Sequence, residues 1–146
     1  CKNALKESGG NVEKAAEYLR QKGIVAAAKK ADRVALEGIV ASKISSDKKR
    51  GIIIELNTQT DFVAKNEQFL TMAEKVSEAG LNSKCKSTEE LLAAKADNST
   101  VADLIKTNIA TIGENIQLRR VSLYEAGNGI VGSYIHPVGK KIGVLV

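Results

Sequence analysis

The sequence predicts an α+β fold: a helical N-terminal module, then a three-stranded antiparallel sheet backed by helices, then the first hairpin of a second α+β unit. Three observations predict it. Ile52, Ile54 and Leu56 alternate with Glu55 and Asn57, the period of a strand with one buried face. Val101, Leu104, Ile105, Ile109 and Ile112 recur at helical spacing and mark the clearest amphipathic helix of the chain. Ile116 to Ala126 reads as a third long strand, but Ile116 and Leu118 stand in one phase and Val121 and Leu123 in the other. A β-bulge near Arg119-Arg120 would reconcile the two phases.

The first residues read as the tail of a helix, broken by Ser8-Gly9-Gly10. Asn11 suits an N-cap, Val12, Ala15, Ala16 and Leu19 follow at helical spacing, and Gly23 is expected to end that helix at its C′ position. A helix this short is not stable alone, so it must pack on something. Residues 24–33 are rich in alanine and lysine and suit a second short helix that links the module to the rest. Residues 34–44 turn β-like around Ile39-Val40. The polar run Ser45-Ser46-Asp47-Lys48-Lys49-Arg50 then joins them to the strand through Ile54, which reads as an antiparallel hairpin.

A helix is expected from about residue 66 to 79, with Phe69, Ala73, Val76 and Ala79 on one face and Gly80 as its end. Residues 81–86, including Cys85, read as a polar loop. Ser87 and Glu90 have the spacing of a capping box ahead of a brief helix with Leu91 and Leu92. Asp97-Asn98-Ser99-Thr100 is a second cap cluster, and Gly113 closes the helix that follows it. Gly127-Asn128-Gly129 reads as a turn, and residues 130–135 and 141–146 as short strands around His136-Pro137-Val138-Gly139.

A chain of 146 residues suits one ordinary domain core. Aromatics are 3% and tryptophan is absent, so the core must be aliphatic. The net charge of +5 reads first as a lysine-rich solvated surface. Aromatic residues are not interleaved with the basic ones, so nucleic-acid binding is not expected. Cys1 and Cys85 make no disulfide framework, which fits a reducing compartment. One histidine and no CxxC pair argue against a metal site. No apolar run approaches the ~20 residues that span a bilayer, and no membrane association or targeting peptide is expected. The chain opens on Cys1 without a methionine and stops at Val146 inside an apolar strand, so it is expected to be truncated at both ends.

Catalysis has no visible seat. Nucleophilic chemistry needs a nucleophile, a base and an orienting group. His136 has no cysteine near it in sequence, and there is no GxSxG elbow and no P-loop. No helix follows Gly127-Asn128-Gly129, so it is a hairpin turn rather than a phosphate cradle. Glu89-Glu90 sits at a helix start, where the macrodipole accounts for it. The expectation is a binding module that is not an enzyme, with no cofactor and no direct nucleotide binding.

One stretch is more specific. Glu55-Leu56-Asn57-Thr58-Gln59-Thr60-Asp61-Phe62-Val63-Ala64-Lys65-Asn66 closely resembles the signature of the elongation factor Ts family. Cys1-Lys2-Asn3-Ala4-Leu5 with Gly9-Gly10, Lys29-Lys30-Ala31, Ile112-Gly113-Glu114-Asn115-Ile116 with Arg119-Arg120-Val121, and Gly132-Ser133-Tyr134-Ile135-His136 follow in the family's order. The resemblance implies a guanine-nucleotide exchange factor for elongation factor Tu, in the cytoplasm of a bacterium or in a mitochondrial matrix or chloroplast stroma. It implies a truncated UBA-like helical module and linker over residues 1–33, a core N-subdomain over 34–126, and the start of the core C-subdomain over 127–146. It also implies partner-binding residues: Thr60, Asp61, Phe62, Val63, Ile112, Gly113, Asn115 and His136. By that implication Phe62 wedges between two helices of the partner's GTPase domain and disturbs its Mg²⁺ and phosphate site, while the His136 region holds the partner near its phosphate-binding loop.

Plainer readings stand beside these. From spacing alone, Phe62 is a staple on its own helix, Asp61 a cap, Val63 core, and His136 a turn residue. Residues 112–115 are equally a helix end and loop. The rival function is a non-catalytic structural or RNA-binding module without exchange activity, drawing on the basic turn at 46–50.

Overall fold

The backbone is organised by an antiparallel hairpin of β1 (Glu37–Ile44) and β2 (Arg50–Thr58), seen in a computed structural model that describes residues 2–146. Cys1, the first residue of the expected family pattern, lies outside the described residues. Ahead of the hairpin come α1 (Lys2–Glu7) and α2 (Val12–Ala28). After it come α3 (Asp61–Ala64), α4 (Glu67–Ser83), α5 (Thr88–Ala93), a small ribbon of β3 (Lys95–Ala96) and β4 (Ser99–Thr100), and α6 (Val101–Ile112). β5 (Ile116–Glu125) pairs with β2, so the sheet order is β1-β2-β5, antiparallel throughout. The hairpin of β6 (Ser133–Ile135) and β7 (Gly143–Leu145) completes the chain. The expected α+β class and three-stranded sheet are both present.

The alternation of β2 decides where the core lies. Ile52, Ile54 and Leu56 project to one face and are buried against Phe69, Met72 and Val76 of α4, Leu91 of α5, and Val101, Ile105 and Ile109 of α6. The expected bulge is present: Glu55 pairs with Arg120 but Leu56 pairs with Leu118, leaving Arg119 as the extra residue. That one residue lets Leu118 and Val121 both pack against the same core. The other face of the sheet carries the β6–β7 hairpin. There a Cβ added at Gly143 would stand 2.7 Å from Val40 Cγ1 and 2.9 Å from Ile53 Cδ1.

Two glycines expected to end helices lie inside them instead. The second helix runs through Gly23 to Ala28 and absorbs part of the separate short helix expected over residues 24–33. Likewise α4 runs through Gly80 to Ser83 and is capped by Lys84, which takes the left-handed conformation itself (φ 54). Packing explains both. A Cβ at Gly23 would stand 3.1 Å from Ala110 Cβ of α6, and one at Gly80 would stand 2.5 Å from Ile52 Cδ1. These glycines permit close approach rather than termination. Cys85, expected in a polar loop, is buried, and burial pushes its thiol pKa up.

The caps follow local chemistry more closely. Asn11, Asn66 and Thr100 cap α2, α4 and α6, each accepting from a backbone amide of its first turn. Ser87 accepts from the Glu90 amide at 3.2 Å, but the Glu90 carboxylate accepts from Lys86 N rather than from Ser87 N, so the box closes one residue early. The β3–β4 ribbon is two residues per strand, too short for any alternation to announce it.

Candidate functional site

The signature stretch folds as the junction of sheet and helices. β2 ends at Thr58, and a single helical turn, α3, follows at once. Thr60, not Asp61, is the N-cap: its Oγ1 accepts from Val63 N at 3.4 Å. Asp61 is the first helical residue and pairs with Lys65 one turn on, at 2.8 Å. The hydrogen bond from Lys65, then its charge, hold the Asp61 carboxyl below its ordinary pKa, although burial opposes them slightly. Asn66 then caps α4, so the direction of the chain is reset twice within seven residues, 60–66.

Within this turn the two apolar side chains separate. Val63 is half-buried against the core, as its plainer reading expects. Phe62 is 82% exposed. An aromatic ring of that exposure is not a staple on its own helix. The other phenylalanine, Phe69, is 0% exposed and sits at the centre of the core.

The loop between α6 and β5 meets this turn from the side. Gly113 takes the left-handed conformation (φ 92) that closes α6 and turns the chain. Glu114 then directs its carboxylate at the end of β2. Its Oε2 accepts from Thr58 Oγ1 at 2.9 Å, Gln59 N at 3.2 Å and Thr60 N at 3.0 Å, and its Oε1 accepts from Thr60 Oγ1 at 2.7 Å. Burial alone would raise the Glu114 pKa, but the hydrogen bonds from Thr60 and Thr58 and from the Thr60 and Gln59 amides outweigh it. The carboxyl therefore lies below its ordinary range. Asn115 donates its backbone N–H to Gln59 Oε1 at 2.9 Å and its side-chain amide to the carbonyls of Ala31 and Arg33.

The structure thus brings Thr60, Asp61, Phe62 and Val63 together with the 112–115 loop. Asn115 is 2% exposed, so its side chain braces the segment leaving α2 and has no surface to offer. Ile112 is half-buried against the core, and Gly113 is half-buried at the turn. His136 belongs to the separate β6–β7 hairpin, half-buried, with Nδ1 3.1 Å from Tyr134 Oη. That hairpin is tied to β1 by Val40 N donating to Lys140 O and by the Lys141–Glu37 ion pair. Glu114, Glu37 and Lys141 are the residues that spacing did not single out. Each acts across a long sequence separation, from 54 to 104 residues, which no local pattern records. Among the described residues no group of three or more His, Cys, Asp or Glu side chains is arranged to hold a metal ion.

A family model described as elongation factor TS matches residues 59–146. Similar curated proteins named Elongation factor Ts include one from Clostridium perfringens (strain SM101 / Type A), 51% identical over 146 residues, covering 99% of this chain and 48% of the relative. One from Halothermothrix orenii is 51% identical over 149 residues, covering 100% of this chain and 49% of the relative. One from Chlorobaculum parvum is 45% identical over 150 residues, covering 100% and 52%. The chain spans about half the length of these relatives.

Proposed function

The chain belongs to the elongation factor Ts family, and from that premise we propose that it is a translation elongation factor that docks on elongation factor Tu bound to GDP and promotes GDP release. The observation that carries the reading is Phe62, an aromatic ring 82% exposed on a turn whose backbone is capped and anchored on both sides. A large apolar side chain held out by a rigid turn suits insertion into a partner's apolar slot, where such anchors dominate interface energy.

In this reading Phe62 enters between two helices of the partner's GTPase domain, with Asp61 and Thr60 beside it. His136, on the hairpin tied to β1, meets the partner near its phosphate-binding loop. Bound GDP depends on a tight arrangement of backbone donors, a lysine and Mg²⁺ around its phosphates. Shifting those groups weakens nucleotide binding, and by linkage the nucleotide weakens docking equally. No bond is made or broken by this chain. Asn115 serves the reading as a brace and not as a contact. Residues 1–33 are assigned to a UBA-like module and linker, 34–126 to the core N-subdomain, and 127–146 to the start of the C-subdomain. The bacterial relatives favour a cytoplasmic translation factor.

The test is release of a fluorescent GDP from elongation factor Tu, with and without this chain, alongside Phe62→Ala. Accelerated release that is mostly lost in Phe62→Ala supports the reading. Accelerated release indifferent to Phe62 removes the wedge. No acceleration and no binding in a pull-down would leave a structural module.

A further inference from the structure

We propose that Glu114 is a positioning residue that presets the Phe62 turn for docking, an inference that rests on the partner-binding reading above. Three successive residues, Thr58, Gln59 and Thr60, are anchored to one carboxylate by four hydrogen bonds. The Thr60 hydroxyl then acts in two directions. It donates its proton to Glu114 Oε1 and accepts the Val63 N–H. Donation to the carboxylate aims the free lone pairs of that hydroxyl at the helix it caps. Residues on both sides of Phe62 are thereby fixed, while the ring itself stays in solvent.

The arrangement is one of preorganisation. A turn that is ordered before docking loses less freedom when it docks. Hydrogen bonds to an ionised acceptor are roughly twice as strong as neutral ones, which suits a short turn with only four helical residues of its own. Glu114 sits in the three-residue link between α6 and β5, so it ties the turn to a short connector held at both ends by regular elements.

The test uses four chains: the unaltered one, Glu114→Gln, Phe62→Ala, and the double variant. GDP release from elongation factor Tu is followed at rising chain concentrations, with amide hydrogen exchange measured on the free chains. Glu114→Gln is expected to lower the efficiency of release about tenfold, the consequence of leaving turn donors without their charged acceptor. The Gln59, Thr60 and Val63 amides are expected to exchange at least about tenfold faster, with β2 protection unchanged. On the Phe62→Ala background Glu114→Gln is expected to change release less than about twofold, because the two act through one ring. If Glu114→Gln fails to fold, Thr60→Val, which keeps the shape and removes the hydroxyl relay, takes its place with the same expected loss of release, the faster exchange then being expected at the Val63 amide. Unchanged release or unchanged exchange in a folded Glu114 variant, with normal dependence on Phe62, overturns the proposal alone. Independent, multiplying effects of the two substitutions also overturn it. Release indifferent to Phe62→Ala overturns the docking reading and this proposal together.

Discussion

Lys141 Nζ lies 2.5 Å from Glu37 Oε2, tying the β6–β7 hairpin to the first residue of β1. With the Val40 N–H donated to Lys140 O, the pair links the strand beside the Phe62 turn to the hairpin that carries His136. Both side chains are substantially exposed, so the pair contributes about 0.2–1 kcal/mol. A double-mutant cycle with Lys141→Gln and Glu37→Gln, read by urea unfolding, is expected to give a coupling in that range. The coupling should fade at about 1 M salt, where the Debye length falls to about 3 Å. A salt-insensitive coupling above about 2 kcal/mol would mean a shielded pair and contradict the exposure.

The two phenylalanines have opposite roles. Phe69 fills the core between β2 and α4, and Phe69→Ala is expected to lower unfolding free energy by about 3–5 kcal/mol. Phe62→Ala is expected to change it by less than about 0.5 kcal/mol, as for other exposed sites. Urea midpoints of the two variants decide the point. A strong loss in Phe62→Ala would mean that the ring packs in solution.

Gly80→Ala sets two effects against each other. Alanine favours the helix by about 0.5–1 kcal/mol. The new Cβ would sit 2.5 Å from Ile52 Cδ1 and 3.0 Å from Leu91 Cδ1, and both partners are fully buried. Overpacking of a closed core costs about 1–3 kcal/mol, so the net expectation is destabilisation. A raised melting temperature would show that Ile52 and Leu91 can move aside.

Acid should release the turn. Glu114 and Asp61 both have folded-state pKa values below their ordinary ones. Their stabilisation is therefore fully present above the unfolded carboxylate range and is lost as pH falls through the lowered folded values. The stability gap between the unaltered chain and Glu114→Gln is expected to be constant near neutrality and to close in acid. A gap that persists at acid pH would mean that the substitution acts by shape and not by charge.

What was legible in the sequence followed distance along the chain. The slip in phase between Leu118 and Val121 marked the bulge correctly, because alternation is a local record of which face is buried. Asn11, Thr100 and Gly113 were legible as helix ends for the same reason. Gly23 and Gly80 were not, because a terminating glycine and a close-packing glycine look alike until the facing element is known. The 58–66 turn stood out by resemblance, whereas spacing alone made Phe62 a staple. Glu114 stood inside a stretch marked by resemblance, but nothing local showed what its carboxylate holds, since its donors lie 54 to 56 residues away.

Between α6 and β5 there are only three residues, Gly113, Glu114 and Asn115. Glu114 holds the turn that follows β2, and Asn115 holds the carbonyls of Ala31 and Arg33 behind it. Surface loops ordinarily accept added residues, because lengthening a loop costs little entropy. Here one inserted residue would swing either the carboxylate or the amide away from its partners. Descendants of this chain are free to change the letters on much of the surface, but at this junction they are held to a count.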